Sequence, residues 1–220
     1  MPLVVAAGCA SAAPGSVAAL RAADAEFVKK AAPALSAKHG TKYIVVANGG
    51  VAAVASLPDD AVRAAADSPH RFIFRAADGG PRMYRTTYLP VGGAAVGRKV
   101  FENLGYHVTG GGGRPLVLVS GGTRRVIDPA TAPRLSIAVS TLDGTVSRTL
   151  EFPVDPDFDG GLLLTTLLGD EFQTAQSEVP GDAEVQVALG RPFEARRALL
   201  LVRIASLGVS GVVEALVPTK

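Results

Sequence analysis

Residues 195–217, ARRALLLVRIASLGVSGVVEALV, form the longest apolar region of the chain and constrain its fold more than any other segment. After the first two arginines, only Arg203 and Glu214 interrupt it with charge. At strand periodicity both faces are apolar, and such strands are buried between two layers or against another chain. The segment therefore predicts either the interior of a sheet or a contact between subunits.

The whole chain after residue 113 is rich in predicted strands. In chain order these strands are RPLVLVSG, RLSIAVS, TVSRTLEF, AEVQVALG and, within residues 195–217, ALLLVRIASLG and GVVEALV. Asp143 and Gly144 stand between residues 134–141 and 145–152, and this pair is a signal for a hairpin with a two-residue turn. Residues 161–175 predict the one helix of this half. We therefore expect a mainly antiparallel C-terminal half.

The N-terminal half alternates predicted strands and helices. A strand at residues 2–7 precedes a helix that should begin at the N-cap Ser16, end at Gly40, and be kinked or split by Pro33. Residues 42–48, KYIVVAN, predict a buried strand. We expect the first strands to form a parallel three-strand layer.

Three further elements are expected in this half. A second helix should begin at Ser56 and stop before Pro69. Residues 71–76 and 82–89 flank the turn ADGGP and predict a hairpin. Residues 94–108 predict one more helix.

Four consecutive glycines at residues 110–113 separate these two kinds of sequence. Such a run interrupts regular structure and is typical of a joint. We predict an α+β protein with a mixed α/β region at 1–109 and a mainly β region at 114–220. The glycine-rich segment joins them.

The composition excludes several classes of protein. Hydrophobic residues are 48% and charged residues 19% of the chain, which excludes a disordered protein. A net charge of +2 with scattered basic pairs gives no strong nucleic-acid signal, and no apolar run is long enough to span a membrane. The single Cys9 excludes internal disulfides. The apolar run before it has no preceding basic residue and is at the lower limit of length for a signal peptide. We expect a soluble protein of the cytoplasm or of an assembled particle.

Two glycine-rich segments suggest a nucleotide site, but neither has the full motif. A phosphate loop needs a lysine directly after its last glycine, and residues 92–99, GGAAVGRK, have Arg98 there. A turn that enters a helix is the better interpretation. The loop between Gly8 and Ser16 lacks the three-glycine dinucleotide pattern. An enzyme or ligand binder that uses this loop and residues 48–51 stays an alternative.

Residues 155–166, DPDFDGGLLLTT, contain the most specific polar pattern of the chain. Asp155, Asp157 and Asp159 alternate, so a tight loop could direct three carboxylates at one hard cation. Thr166 stands where a calcium loop has its bidentate glutamate. Calcium is therefore the one cofactor that the sequence suggests, and an ordinary solvated turn is the alternative.

Catalytic groups are few. The chain has three histidines, His39, His70 and His107, and its sequence places none of them beside a nucleophile. Ser120, in LVSGGT, lacks the glycine two positions earlier that a nucleophile elbow requires. We therefore assign no catalytic residue.

The function that we expect follows from this lack of a complete catalytic or cofactor motif and from the apolar strands. We expect a non-enzymatic structural subunit that self-associates through apolar β segments. Its partners would be other copies of itself or neighbouring assembly subunits, for example in a large particle such as a virion shell or tail. The alternatives are an α/β nucleotide- or small-ligand-binding enzyme that uses the N-terminal glycine loops, and a calcium-stabilised binding module.

Overall fold

A computed structural model describes residues 15–75, 82–86, 93–131 and 133–219. The first predicted strand, at residues 2–7, lies outside the described residues. The described part combines four α-helices with an eleven-stranded and a three-stranded sheet, which confirms the predicted α+β class. The helices are α1 (Val17–His39), α2 (Pro58–Arg63), α3 (Arg98–Asn103) and α4 (Thr166–Glu171).

The strands in chain order are β1 (Tyr43–Ala47), β2 (Gly50–Ala55), β3 (Phe72–Arg75), β4 (Arg82–Thr86), β5 (Ala95–Val96), β6 (His107–Thr109), β7 (Leu116–Ser120), β8 (Thr123–Ile127), β9 (Arg134–Ser140), β10 (Ser147–Pro153), β11 (Leu162–Leu163), β12 (Glu178–Val187), β13 (Phe193–Ile204) and β14 (Val209–Pro218). The larger sheet has the order β2-β1-β3-β12-β13-β14-β11-β5, with β4 beside β12, β9 beside β13 and β10 beside β9. The smaller sheet is β6-β7-β8. Strands from both sides of residues 110–113 share the larger sheet, and the division into two regions stays a prediction.

The longest apolar segment lies inside the larger sheet. Strands β13 and β14 pair antiparallel from Ala195 with Pro218 to Ile204 with Val209. β13 also pairs with β12 and β9, and β14 also pairs with β11. Leu200 is fully buried in the main hydrophobic core. Of the two expectations for this segment, the structure has the sheet interior, because the chain's own strands flank β13 and β14.

Helix α1 has the predicted ends but not the predicted split. The Ser16 side chain accepts a hydrogen bond from the Ala19 N–H, and Gly40 ends the helix with a positive φ of 57°. The helix continues through Pro33 because Val28 and Leu35, on either side of it, bury against the same part of the sheet. In the described part of the chain, no helix is both long and apolar enough to span a membrane.

The N-terminal strands do not form the expected parallel layer, and the predicted hairpin is wrong. β1 pairs antiparallel with both β2 and β3. For β1 and β2 the reason is the two-residue turn at Asn48 and Gly49, whose φ angles of 54° and 74° suit a tight hairpin. β3 and β4 pair with different parts of β12, both in parallel, and no described residue of one pairs with the other.

Three predicted helices are shorter in the structure. The helix expected at 94–108 is divided into β5, α3 and the start of β6, because Ala95 and Val96 pair with β11 and Gly97 has an extended backbone as the N-cap of α3. The helix expected at 161–175 is β11 followed by α4. The second helix has its N-cap at Leu57 rather than at Ser56, with no side-chain capping bond.

The hairpin predicted after residue 133 is confirmed. β9 and β10 pair antiparallel, with Ser140 opposite Ser147. The connection is longer than the expected two residues, since the Thr141 N–H donates to the Val146 carbonyl and four residues lie between them. Asp143 stabilises this loop by accepting hydrogen bonds from the Thr141 hydroxyl and from the Thr145 backbone.

Candidate functional site

The strand β2 lies at one end of the larger sheet and contains no buried residue. It pairs with β1, and within the described residues no strand pairs with its other side. Its sequence, GVAAVA, contains neither charge nor proline. Val51 and Val54 are 41% and 36% exposed, and Leu57 just beyond the strand is 60% exposed. β2 therefore presents a row of backbone N–H and C=O groups beside apolar side chains.

Other edge strands carry features that oppose pairing with a second chain. β10 contains Arg148 and Glu151 and ends at Pro153. β8 contains Arg124 and Arg125. β5, at the far end of the larger sheet, is only two residues long. Charged residues, prolines and short length all blunt an edge, and β2 has none of these three features. Its one irregularity is a register shift against β1 between Val45 and Val46.

A buried ionic network, not predicted from the sequence, joins α1 to strands β12 and β13 of the larger sheet. His70 Nδ1 lies 2.7 Å from Asp24 Oδ2, and His70 Nε2 lies 3.2 Å from Glu178 Oε2. All three side chains are buried. Arg21 Nε and Arg196 Nη1 donate to the Glu178 carboxylate at 2.7 and 3.1 Å, so two guanidinium groups offset the two acids. We call these five residues the Asp24 network.

The Asp24 network reaches the β2 hairpin. Asp24 Oδ1 accepts a hydrogen bond from the Gly49 N–H at 2.6 Å, which holds the turn between β1 and β2. Burial disfavours ionisation of Glu178, but the hydrogen bond from His70 and the charge of Arg21 outweigh it and lower the pKa of its carboxyl. The ionised form of Glu178 is therefore favoured, and the Asp24–Gly49 hydrogen bond connects the network to the turn that leads into β2.

The Asp24 network does not form a catalytic triad. The nearby Ser68 hydroxyl donates to the backbone carbonyl of His70 rather than to its ring. Both ring nitrogens of His70 already face carboxylate oxygens.

One sequence signal for the Asp24 network was available, because Asp24 lies four residues before the buried Val28 on the inward face of α1. A charge on an apolar helix face requires buried partners.

Asp155 uses its carboxylate within its own turn. Its Oδ1 accepts hydrogen bonds from the N–H groups of Asp157 and Phe158 at 3.0 and 3.1 Å, and its Oδ2 accepts one from the Thr86 hydroxyl. Burial raises the pKa of the Asp155 carboxyl more than these hydrogen bonds lower it. This carboxylate therefore organises the loop through backbone contacts.

The other two predicted metal ligands bind different parts of the backbone. Asp157 Oδ1 accepts a hydrogen bond from the Gly112 N–H, and Asp159 Oδ1 accepts one from the Arg85 N–H at 2.7 Å. Among the described residues, no three His, Cys, Asp or Glu side chains form a cluster suited to a metal ion. The structure places Asp155, Asp157 and Asp159 in one loop, but their carboxylates bind different partners. Calcium binding by these three residues stays a prediction.

The glycine segment before α3 has its backbone donors occupied. The Gly97 N–H donates to the Gly161 carbonyl at 2.8 Å, and the Lys99 N–H donates to the Gly160 carbonyl at 3.0 Å. These are the groups that would face a phosphate in a phosphate loop. In the other predicted ligand loops, residues 8–14 lie outside the described residues, and residues 48–51 are the hairpin turn and the start of β2.

The remaining residues with catalytic chemistry lie apart. His39 is the last residue of α1, and His107 is exposed in β6. Ser120 ends β7 and leads into the hairpin turn to β8, not into a helix. Of the features described above, the β2 edge is therefore the best candidate for a functional site. No protein-family model, curated protein or solved structure matches this chain.

Proposed function

We propose that the protein is a non-enzymatic structural subunit that self-associates by pairing β2 with β2 of a second copy. The observation that carries this proposal is the six-residue edge strand GVAAVA, which is uncharged, lacks proline and has exposed valines. An unpaired edge is a template for another strand. A second copy of the chain always supplies a matching one.

The chemistry of β2 suits pairing with itself. Antiparallel pairing of two β2 strands obeys two-fold symmetry, so both copies use the same surface. Small and β-branched residues meet there without like charges, whereas two β8 strands would oppose Arg124 and Arg125. Asp24 holds the Gly49 turn, so little ordering entropy is lost when the partner binds.

A shell or tail of a virion, the larger form of this proposal, requires a second contact. A two-fold contact closes at a dimer. Leu167 in α4 and Leu189 in the turn between β12 and β13, which are 81% and 80% exposed, offer apolar side chains for that contact. Negative-stain electron microscopy of concentrated protein tests this form, and a population of dimers without ordered particles would limit the proposal to the dimer.

Size-exclusion chromatography with light scattering of the full chain tests pairing through β2. We expect a dimer or larger species for the unmodified protein and a 22.5 kDa monomer for Val54→Lys. The reason is that two lysines would face each other across the paired edges. Val126→Lys is the matched control, because it adds the same charge to an exposed valine of β8, and it should still dimerise.

The free energy of unfolding separates a lost contact from a damaged fold. Both lysine variants should unfold within about 0.5 kcal/mol of the unmodified protein, since both valines are exposed. A monomeric unmodified protein at high concentration contradicts the proposal. So does a Val54→Lys protein that associates as well as Val126→Lys.

A further inference from the structure

A groove of about 500 Å³ runs along one side of α1. Arg21, Ala25 and Ala32 line it from the helix, and their spacing of four and seven residues places them on one helix face. The opposite wall comes from β3 and from residues 180–182 of β12. The lining ends at Ser36, so the groove follows the helix axis for about 22 Å, at a rise of about 1.5 Å per residue.

The floor of the groove is apolar. Four buried side chains line it: Val28 and Leu35 from α1, and Phe72 and Phe74 from β3. All four belong to one hydrophobic cluster, which lies between α1 and the sheet. A charged group pressed onto this floor would lose its hydration without gaining a partner. The floor therefore favours an occupant with apolar side chains and no charge.

The N-terminal segment of the chain has these properties. Residues 1–14, MPLVVAAGCASAAP, contain no charged side chain, and residues 2–7 are predicted as an apolar strand. In extended form the six residues PLVVAA span about 20 Å, at about 3.3 Å per residue. This length matches that of the groove.

The connection to α1 is long enough for the segment to fold back along the helix. The groove begins at Arg21, about 8 Å along the helix axis from the N-cap Ser16. Residues 8–14 can bridge up to about 23 Å. Gly15 has a φ of 89°, a conformation in which glycine lets the chain reverse its direction. Such a short tether gives the segment a high effective concentration at its own groove, which favours it over the same segment of a second copy.

We propose that residues 2–7 dock in this groove of their own chain as an extended segment antiparallel to α1. Leu3 and Val5 share one face of an extended segment, and this face covers the apolar floor. With the end of the segment near Arg21, a rise of about 3.3 Å per residue brings Leu3 close to Ala32. The β2 edge does not line the groove, so this contact and β2 pairing are independent.

Disulfide cross-linking in the full chain tests the docking. Cys9 is the only cysteine, so Cys9→Ala gives a background without thiols. In this background, Leu3→Cys combined with Ala32→Cys should form an intrachain disulfide under mild oxidation. Leu3→Cys combined with Ala34→Cys is the matched control, because Ala34 is exposed on α1 and does not line the groove. The control pair should react at least about tenfold more slowly, since its Cα atoms do not approach within bonding range.

Non-reducing gel electrophoresis distinguishes the outcomes. Equal rates for the two pairs, including no reaction in either, would overturn the proposal. A disulfide-linked dimer in place of the intrachain bond would also overturn it, because the segment would then occupy the groove of a second copy. The reaction is repeated with Val54→Lys added. The intrachain disulfide should be unchanged there, so failure of the groove contact and failure of β2 pairing are seen separately.

A second measurement does not depend on the register of the segment in the groove. Leu3→Ser combined with Val5→Ser should weaken docking and raise the fluorescence of added anilinonaphthalene sulfonate at least about twofold, because this dye binds exposed apolar surface. Ala10→Ser combined with Ala12→Ser introduces the same two hydroxyls into the connection and should leave the fluorescence unchanged. The same fluorescence in both double variants would contradict the docking.

Discussion

The two ends of the larger sheet differ in how they stop. At one end, β5 is covered by the loop between β10 and β11, where the Asp155 N–H donates to the Val96 carbonyl at 2.9 Å and the Gly97 N–H donates to the Gly161 carbonyl at 2.8 Å. At the other end, β2 pairs only with β1 among the described residues. One end is closed by the chain itself, and the other is open.

Glycines near the two ends show what this difference means for packing. A Cβ atom at Gly97 would lie 2.3 Å from the Gly160 carbonyl oxygen, which is far inside contact distance. A Cβ atom at Gly50, the first residue of β2, would meet nothing within 4 Å. Both segments are apolar and rich in glycine, so composition does not tell an open edge from a closed one. Whether an edge is open or closed depends on whether another segment of the chain packs over it.

The largest effect is expected beneath the open end, in the Asp24 network. Asp24→Ala should lower the free energy of unfolding by about 3–5 kcal/mol, because it removes the carboxylate partner of the fully buried His70 and the acceptor of the Gly49 N–H. Urea denaturation measures this. Asp182→Ala is the control. The Asp182 side chain is 83% exposed, and this variant loses only the 3.6 Å contact between Asp182 Oδ1 and Arg21 Nη2.

Hydrogen exchange shows whether the network also holds the edge. In Asp24→Ala, the amide protons of β2 should exchange faster, while those of β13 follow global unfolding. If Asp24→Ala and Asp182→Ala are equally stable, the network does not support this end of the sheet.

The second effect concerns the closed end. Gly97→Ala should lower the free energy of unfolding by about 2–3 kcal/mol, because the added methyl group overlaps the Gly160 carbonyl and the Phe158 ring. Gly50→Ala, the same change at the open end, should stay within about 1 kcal/mol of the unmodified protein. Thermal or urea unfolding of the pair measures the contrast. Equal losses would mean that the two ends are packed alike.

The third effect is the pH dependence of the Asp24 network, to which Glu178 of β12 belongs. The pKa of Glu178 is lowered on folding, so its contribution to stability is present above its ordinary value of 4.5 and is lost as the pH falls through the folded value. Glu178→Gln should therefore flatten the loss of unfolding free energy on acidification, although it is less stable at neutral pH. Urea titrations at several pH values measure the slope. An unchanged slope would contradict this role for Glu178.

The smallest effect is expected in the loop that covers β5. Asp157→Ala should cost about 1 kcal/mol, the value of one hydrogen bond, here the one from the Gly112 N–H. The calcium hypothesis adds that calcium raises the melting temperature of the unmodified protein and that Asp157→Ala abolishes the rise. No response to calcium in the unmodified protein would eliminate a calcium site at Asp155, Asp157 and Asp159.

Several local features could be predicted from the sequence because they depend on neighbouring residues. Ser16 and Gly40 end α1 through contacts within one turn. The 134–152 hairpin forms where the residues around Asp143 favour a loop. The wrong predictions share a different cause. β3 and β4 are separated by a strong turn sequence, yet each pairs with β12, which follows about a hundred residues later.

The candidate site depended even more on distant residues. His70, Asp24 and Glu178 come from three separate parts of the chain, and only the charge on the apolar face of α1 hinted at the cluster. For β2, the valines and alanines indicate a strand but not its place in the sheet.

The sequence by itself determined the α+β class, the ends of α1 and the apolar strands of residues 195–217, since periodicity and capping act over a few residues. The tertiary structure alone decided which strand became the open edge and which charges were buried together. The physical reason is that strands compete for pairing partners across the whole chain, and a buried charge is tolerated only where all of its partners meet in space.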